Sequence, residues 1–317
     1  MSRRCYYDAF VAGQMPRQKN ARGIGAGMIY QQLINGLMLG ASYSLVAIGY
    51  TLIFGVLNLL YFAHGEVFMI GAFVGLFLVV YAGANIYGAL LGAMAICAIL
   101  GVIAVFITVR PVPKDRPLAP LISTIGLTIV IQNLMIYLNG GQQLAFPETI
   151  AQKLYHIGPV NISAAQLFIL GVALALMVLL WLFIERTKMG RAIRATAENH
   201  ETAALLGVNV NRVVLITFII GSGIAGVAGV LDGVKNSSIS PFMGLGAAVK
   251  GLIVMLLGGL GNVPGAMVAG LMLGMIEILS AAYIGTTERD FFSFLILILI
   301  LLWRPTGLFG TRTVEQR

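Results

Sequence analysis

The sequence predicts an all-α polytopic membrane protein, and three features carry that prediction. Of 317 residues, 59% are hydrophobic and 10% charged, whereas soluble domains average about 25% charged. Two stretches, Gly23 to Gly65 and Val67 to Val109, contain no Asp, Glu, Lys or Arg. A spanning helix needs roughly 20 apolar residues, so each stretch has room for two crossings. The 39 glycines suit helices packed closely in lipid, where small residues let backbones approach.

Taken in order, residues 1–27 hold Arg3, Arg4, Arg17, Lys19 and Arg22 but no apolar signal-peptide core. They are expected to form a disordered basic cytoplasmic tail. A single transmembrane domain should occupy 28–310, with spans near 29–48, 50–60 joined to 63–81, 87–109, 118–138, 164–184, 213–232, 242–259, 263–284 and 291–303. The polar interruption from Asn58 to Glu66 predicts a helix broken within the membrane. Residues 311–317 read as a second cytoplasmic tail.

Basic residues orient such a bundle, because cytoplasmic loops are enriched in Lys and Arg. The N-terminal tail, 110–116, 185–212 and the C-terminal segment together hold 16 of the 20. All four are therefore assigned to the cytoplasm, both termini included. The spans after residue 110 then alternate sides correctly, and the number before it must be even. About ten transmembrane helices result if the broken one counts twice, with eight the competing count. The net charge of +8 is thus a topology signal, which argues against nucleic acid as a partner.

Several chemistries lack their signatures. Cys5 and Cys97 suggest neither a disulfide framework nor a metal cluster. The dipeptide Gly-Lys of a phosphate-binding loop occurs nowhere. Gly221 to Gly226 matches a dinucleotide glycine pattern without the preceding strand or following acid that it requires. Gly221, Ala225 and Gly229, Gly270 and Gly274, and Gly71 and Gly75 read instead as helix-packing faces. No catalytic residue, cofactor or metal is expected. A faint internal echo joins Gly55–Gly75 to Gly258–Gly274, and duplicated halves are common in transporters.

The segment 185–212 is the one long polar stretch between apolar blocks, and its interior, AIRATAENHETAALL, has helical composition. Gly207 is placed to end that helix, and Asn209 or Asn211 to cap the next. Helix connections usually run about 2–8 residues, so this length suggests a docking element rather than a solvated link.

Four blocks resemble one family, the LivH-type permease subunits of ABC importers for branched-chain amino acids. They are GRAIRATAENHETAALLGVNVNRVVLITFIIGSGIAGVAGVL, LGASYSLVAIGYTLIFGVLNLLYFAHGEVFMIGAF, Gly258 to Gly265, and Trp303 to Gly310. The resemblance spans about 28–310 and departs from the family pattern within Asn58-Leu59-Leu60-Tyr61-Phe62-Ala63-His64-Gly65-Glu66. It implies a translocation path for leucine, isoleucine, valine or a related small solute such as another amino acid, an amide or urea. The implied partners are a homologous second permease (LivM-like), two ATP-binding subunits that hydrolyse the ATP, a periplasmic solute-binding protein and the lipid of a bacterial inner membrane. ATPase coupling would then fall to Gly190, Arg194, Ala197, Glu198, Asn199, Glu201, Ala204, Leu206 and Gly207.

Charges inside apolar runs usually face a bundle interior or a pathway. Asn58, His64, Glu66 and Lys250 are therefore candidates for the path or its gate. The competing reading is that the first three satisfy backbone groups freed by the break. Lys250 and Glu277 could pair. The competing function is an ion-gradient-driven secondary transporter, which would not need the docking segment. No enzyme motif is present.

Overall fold

The computed structural model describes residues 21–112, 118–150, 153–157, 160–285 and 289–310. Both expected tails fall largely outside them, although the first helix already begins at Ala21.

Six helices are long and apolar enough to cross a membrane, and three shorter apolar ones accompany them among the described residues. In chain order they are α1 (Ala21–Leu57), α2 (His64–Val80), α3 (Ile86–Ala104, continued by a π turn to Val109), α4 (Ala119–Asn139) and α5 (Ala164–Arg186). Two polar helices follow, α6 (Lys188–Glu198) and α7 (His200–Leu205), then α8 (Val210–Asn236), α9 (Met243–Gly258), α10 (Val263–Tyr283) and α11 (Arg289–Trp303). Short strands β1 (Leu144–Ala145) and β4 (Ser238–Ile239) pair antiparallel, as do β2 (Leu154–Ile157) and β3 (Val160–Ser163).

Side-chain and backbone ties define two ends of the bundle. At one end, called the hairpin end, His200 on α7 bonds the Val56 carbonyl near the foot of α1. There too the C-terminal segment folds back, Leu308 N donating to Leu257 O at 2.8 Å and Asn262 Nδ2 to Phe309 O at 2.7 Å. At the far end, Asn161 N donates to Gln31 Oε1 (2.9 Å) and Gln166 Nε2 to Asn35 Oδ1 (3.2 Å).

These ties correct the predicted topology. Residues 29–57 lie in one continuous helix, so among the described residues three helices, not an even number, precede Arg110. The start of α1 lies at the far end, opposite α6–α7 and the segment 304–310. The tally of basic residues placed them together because it cannot detect two apolar stretches fused into one helix. A 37-residue helix spans about 56 Å at 1.5 Å per residue, which no hydropathy window separates from two shorter ones.

Residues 58–63 link two separate helices, and this linker has a twin. α1 and α8 each end on a residue in the left-handed region, Asn58 (φ 54°) and Ser237 (φ 52°). Each is followed, six residues on, by a short helix whose N-cap, Ala63 or Phe242, makes no side-chain capping bond. α2 has 17 residues and α9 has 16, about 25 Å, less than the ~30 Å hydrocarbon core. Both therefore begin inside the bundle. Their second residues, Gly65 and Gly244, meet: a Cβ on Gly244 would stand 2.8 Å from the Gly65 carbonyl oxygen.

The flanking helices obey the same relation. α10 packs on α1 through Gly270 and Gly274 against Ser44 and Gly40, and α3 packs on α8 through Gly101 against Ser222. Hence α1–α2–α3 and α8–α9–α10 are inverted copies of one motif. Its register pairs Asn58 with Ser237, not Gly55 with Gly258 as the glycine echo suggested. The expected small faces do pack: Gly71 on Gly226, Gly75 on Val230, and Gly229 on Phe68 and Ala72.

Candidate functional site

Between α1, α2, α5, α8, α9 and α10, in the half of the bundle toward the far end, lies a cavity of about 540 Å³. Its wall mixes both charges, amides and apolar groups: Asp232, Lys235 and Asn236 from the end of α8, Lys250 and Met243 from α9, Gln166 from α5, and Asn35, Met38, Leu39, Ser42, Tyr43 and Val46 along α1. The α1 residues recur at helical spacing, so one face of this helix lines the cavity from top to floor.

The charges are not bare. Lys235 Nζ donates to Asp232 Oδ1 at 3.2 Å, and Asn236 Nδ2 to Asp232 Oδ2 at 3.0 Å. Lys250 bonds the Glu277 carboxylate, Ser293 Oγ (3.1 Å) and Asp290 Oδ1 (2.8 Å), and Tyr43 OH donates to Glu277 Oε2 (2.8 Å). Glu277 is fully buried, and a buried ion is tolerated only where partners satisfy it. The anticipated Lys250–Glu277 pair thus exists and ties α9 to α10 and α11.

Of the expected path residues, only Lys250 lines this cavity. His64 lies beyond its Val46 floor, fully buried against Tyr50 (ring centroids 4.7 Å) and Tyr61 (6.4 Å). The polar atoms of Tyr50, Tyr61 and His64 have no hydrogen bond of ordinary geometry to the protein. Glu66 is buried in the first turn of α2, its carboxyl group beside Gly244 at the start of α9, and its Oε2 makes no hydrogen bond to the described residues. Asn58 is exposed; it closes α1, its N–H donating to Phe54 O at 2.7 Å.

The polar segment 185–212 folds as a helical hairpin, split at Asn199 rather than continuous. Asn199 is extended (φ −158°), and its side chain accepts from Thr202 N at 2.8 Å. An Asn side chain competes for backbone in this way and so favours caps over helix interiors. Thr187 caps α6 through Gly190 N (3.0 Å) and Asn209 caps α8 through Arg212 N (3.1 Å), while Gly207 (φ 85°) ends the hairpin in the conformation only glycine takes freely. Gly190 is buried against the last turn of α5, and Arg194 Nη1 grips Ile184 O (2.8 Å) and Glu185 Oε2 (2.7 Å). Ala197 is half-buried beside Gly55. Glu198, Asn199, Glu201, Ala204, Leu206 and Gly207 are exposed, Leu205 and Leu206 at 88% and 77%.

Sequence reasoning did not select Lys235, Asn35, Gln166 or His200 for the site. Asp232 and Lys235, three apart where an apolar run ends, were the available signal; the other three are ordinary polar residues until the fold gathers them. Among the described residues no three His, Cys, Asp or Glu side chains converge for a metal.

A bundle of apolar helices with an inverted repeat, a mixed-charge cavity and a polar hairpin outside it defines a multi-pass membrane transport subunit. The comparisons make this particular. A family model described as the branched-chain amino acid transport system permease component matches residues 32–303, and the chain belongs to that family. It is 40% identical over 299 residues to the high-affinity branched-chain amino acid transport permease LivH of Escherichia coli K12 and to LivH of Salmonella typhimurium, covering 90% of this chain and 97% of each relative. It is 38% identical to BraD of Pseudomonas aeruginosa, with the same coverage. No solved structure matches. The chain is therefore a permease component of an ABC transport system for branched-chain amino acids, with no catalytic role of its own.

Proposed function

We propose that the cavity is the station through which the solute passes and that α6–α7 docks on an ATP-binding subunit. The observation that carries this reading is the cavity wall, where paired charges of both signs and amides face an apolar floor. A zwitterion with an aliphatic side chain presents the same mixture. Asp232, Lys235 and Lys250 would meet the ammonium and carboxylate, and Met38, Leu39, Val46 and Phe68 the side chain.

In this reading the hairpin end is cytoplasmic, and the start of α1 faces the periplasm of a bacterial cell. Among the described residues nine membrane segments then alternate sides, with α2 and α9 as half-depth helices. A second, homologous permease, two ATP-binding subunits and a periplasmic solute-binding protein complete the transporter. The exposed Leu205 and Leu206 give the hairpin an apolar tip for the ATP-binding subunit.

Three experiments test this. In proteoliposomes holding the whole complex, leucine uptake should require ATP; uptake by the chain alone under a proton or sodium gradient would favour the secondary-transporter reading. Replacing Leu206 with Asp should release the ATP-binding subunits on purification, and their retention would sink the docking assignment. Single cysteines at Tyr30 and Glu201 should react with impermeant reagent from opposite faces of the membrane.

A further inference from the structure

We infer that His200 is the positioning residue that links the docked hairpin to the interior of the path. The inference rests on α6–α7 being the docking element, and it concerns what that element moves.

Val56 is the second-last residue of α1, and its carbonyl is among those a helix end leaves without an intrahelical partner. The Nε2–H of His200, the first residue of α7, donates to it. Beyond Leu57 the chain turns at Asn58 and climbs back to His64 through the linker that carries Tyr61. The link therefore grips α1 immediately before its break.

Beside this bond lies an apolar cluster. Ile193 of α6 shares one buried cluster with Ile53, Val56, Tyr61, Val213 and Phe218. Apolar contact is non-directional, so such a surface lets the hairpin slide without dragging α1 along a defined direction. A hydrogen bond to a single carbonyl has direction and length. It converts tilt of the hairpin into displacement of the α1 end, and hence of the linker next to it. What the linker holds shut is polar: Tyr50, Tyr61 and His64 close the bundle below the cavity floor, buried and without ordinary hydrogen bonds to the protein. Displacing the linker separates Tyr61 from His64 and exposes those groups to a passing solute.

The test uses the complete transporter in proteoliposomes, with ATP hydrolysis and leucine uptake measured on the same preparation. For His200→Ala the ATP-binding subunits stay bound and hydrolysis persists, while uptake per ATP falls roughly tenfold, within the range of site-to-site couplings. His200→Gln, whose amide can still donate to the carbonyl, recovers uptake to within about threefold of wild type. An unchanged ratio in His200→Ala overturns the proposal. So does a parallel fall of both activities in proportion to assembled complex, which marks a purely structural helix cap. Where the alanine variant fails to assemble, His200→Gln and His200→Leu at matched assembly carry the comparison, and equal ratios in the two overturn it. Release of the ATP-binding subunits by Leu206→Asp is scored separately, so failure of the docking reading is told apart from failure of this one.

Discussion

The linkers 58–63 and 237–242 join equivalent helices in two inverted copies, and they are held in different ways. The second is strapped by backbone: Leu144 pairs with Ile239 and Ala145 with Ser238, Phe146 N donates to Ser237 O at 3.0 Å, and Gln143 Nε2 to Ser238 Oγ at 2.6 Å. Among the described residues the first has no strand beside it. It leans on an apolar cluster and on the His200 bond just before it. A ladder of backbone bonds must be broken as a set, whereas one side-chain bond can shift with the element that bears it. The repeat thus pairs a fixed linker at the far end with a movable one at the hairpin end. Symmetry made the two turns, and their neighbours made one of them responsive.

The two copies differ most in charge, and that difference yields the largest expected effect. α9 carries Lys250, while α2 has no cation. Lys250→Met should leave Glu277 buried without its charge partner, costing about 3–5 kcal/mol. A thermal melt in detergent should show the loss, and Lys250→Met with Glu277→Leu should regain most of it. If the single variant melts like wild type, the network does not hold α9 to α10.

The crossing of the half-depth helices comes next. Gly65→Val and Gly244→Val each push a side chain into the opposing backbone, at about 1–3 kcal/mol for such overpacking. Similar losses in the two variants would uphold the repeat, and a harmless Gly244→Val would break it. Gly246→Ala, with nothing near its Cβ position, is the control.

Smaller effects probe the turns. Asn58→Val and Ser237→Val place β-branched residues in the left-handed region, at about 1–2 kcal/mol each, while Asn58→Gly and Ser237→Gly should be tolerated. Glu66→Gln keeps the shape and removes the carboxyl group beside both helix starts, so uptake should fall without loss of assembly. Smallest is Arg194→Ala: its ion pair with Glu185 is some 40% exposed, and such surface pairs contribute below about 1 kcal/mol. Melting should hardly change.

Much of this molecule was legible along the chain. Charge-free runs marked the spans, since lipid excludes unpaired charge whatever the fold. Gly207 and Asn209 marked the end of the hairpin and the start of α8, because caps are local chemistry. The four family blocks carried the transport role. The hairpin was legible as helix but not as two helices, since whether Asn199 interrupts or continues depends on which bond its side chain finds.

Only tertiary structure decided the rest. Whether residues 29–57 make one helix or two, and so at which end of the bundle α1 begins, turns on packing against α10 rather than on hydropathy. The cavity gathers Asn35, Gln166, Asp232 and Lys250 from four helices, and no spacing within one segment encodes that meeting. His200 gains its meaning from a carbonyl far from it in sequence. Local chemistry determined which segments lie in lipid and how each helix begins and ends; contacts between distant segments determined what those helices enclose.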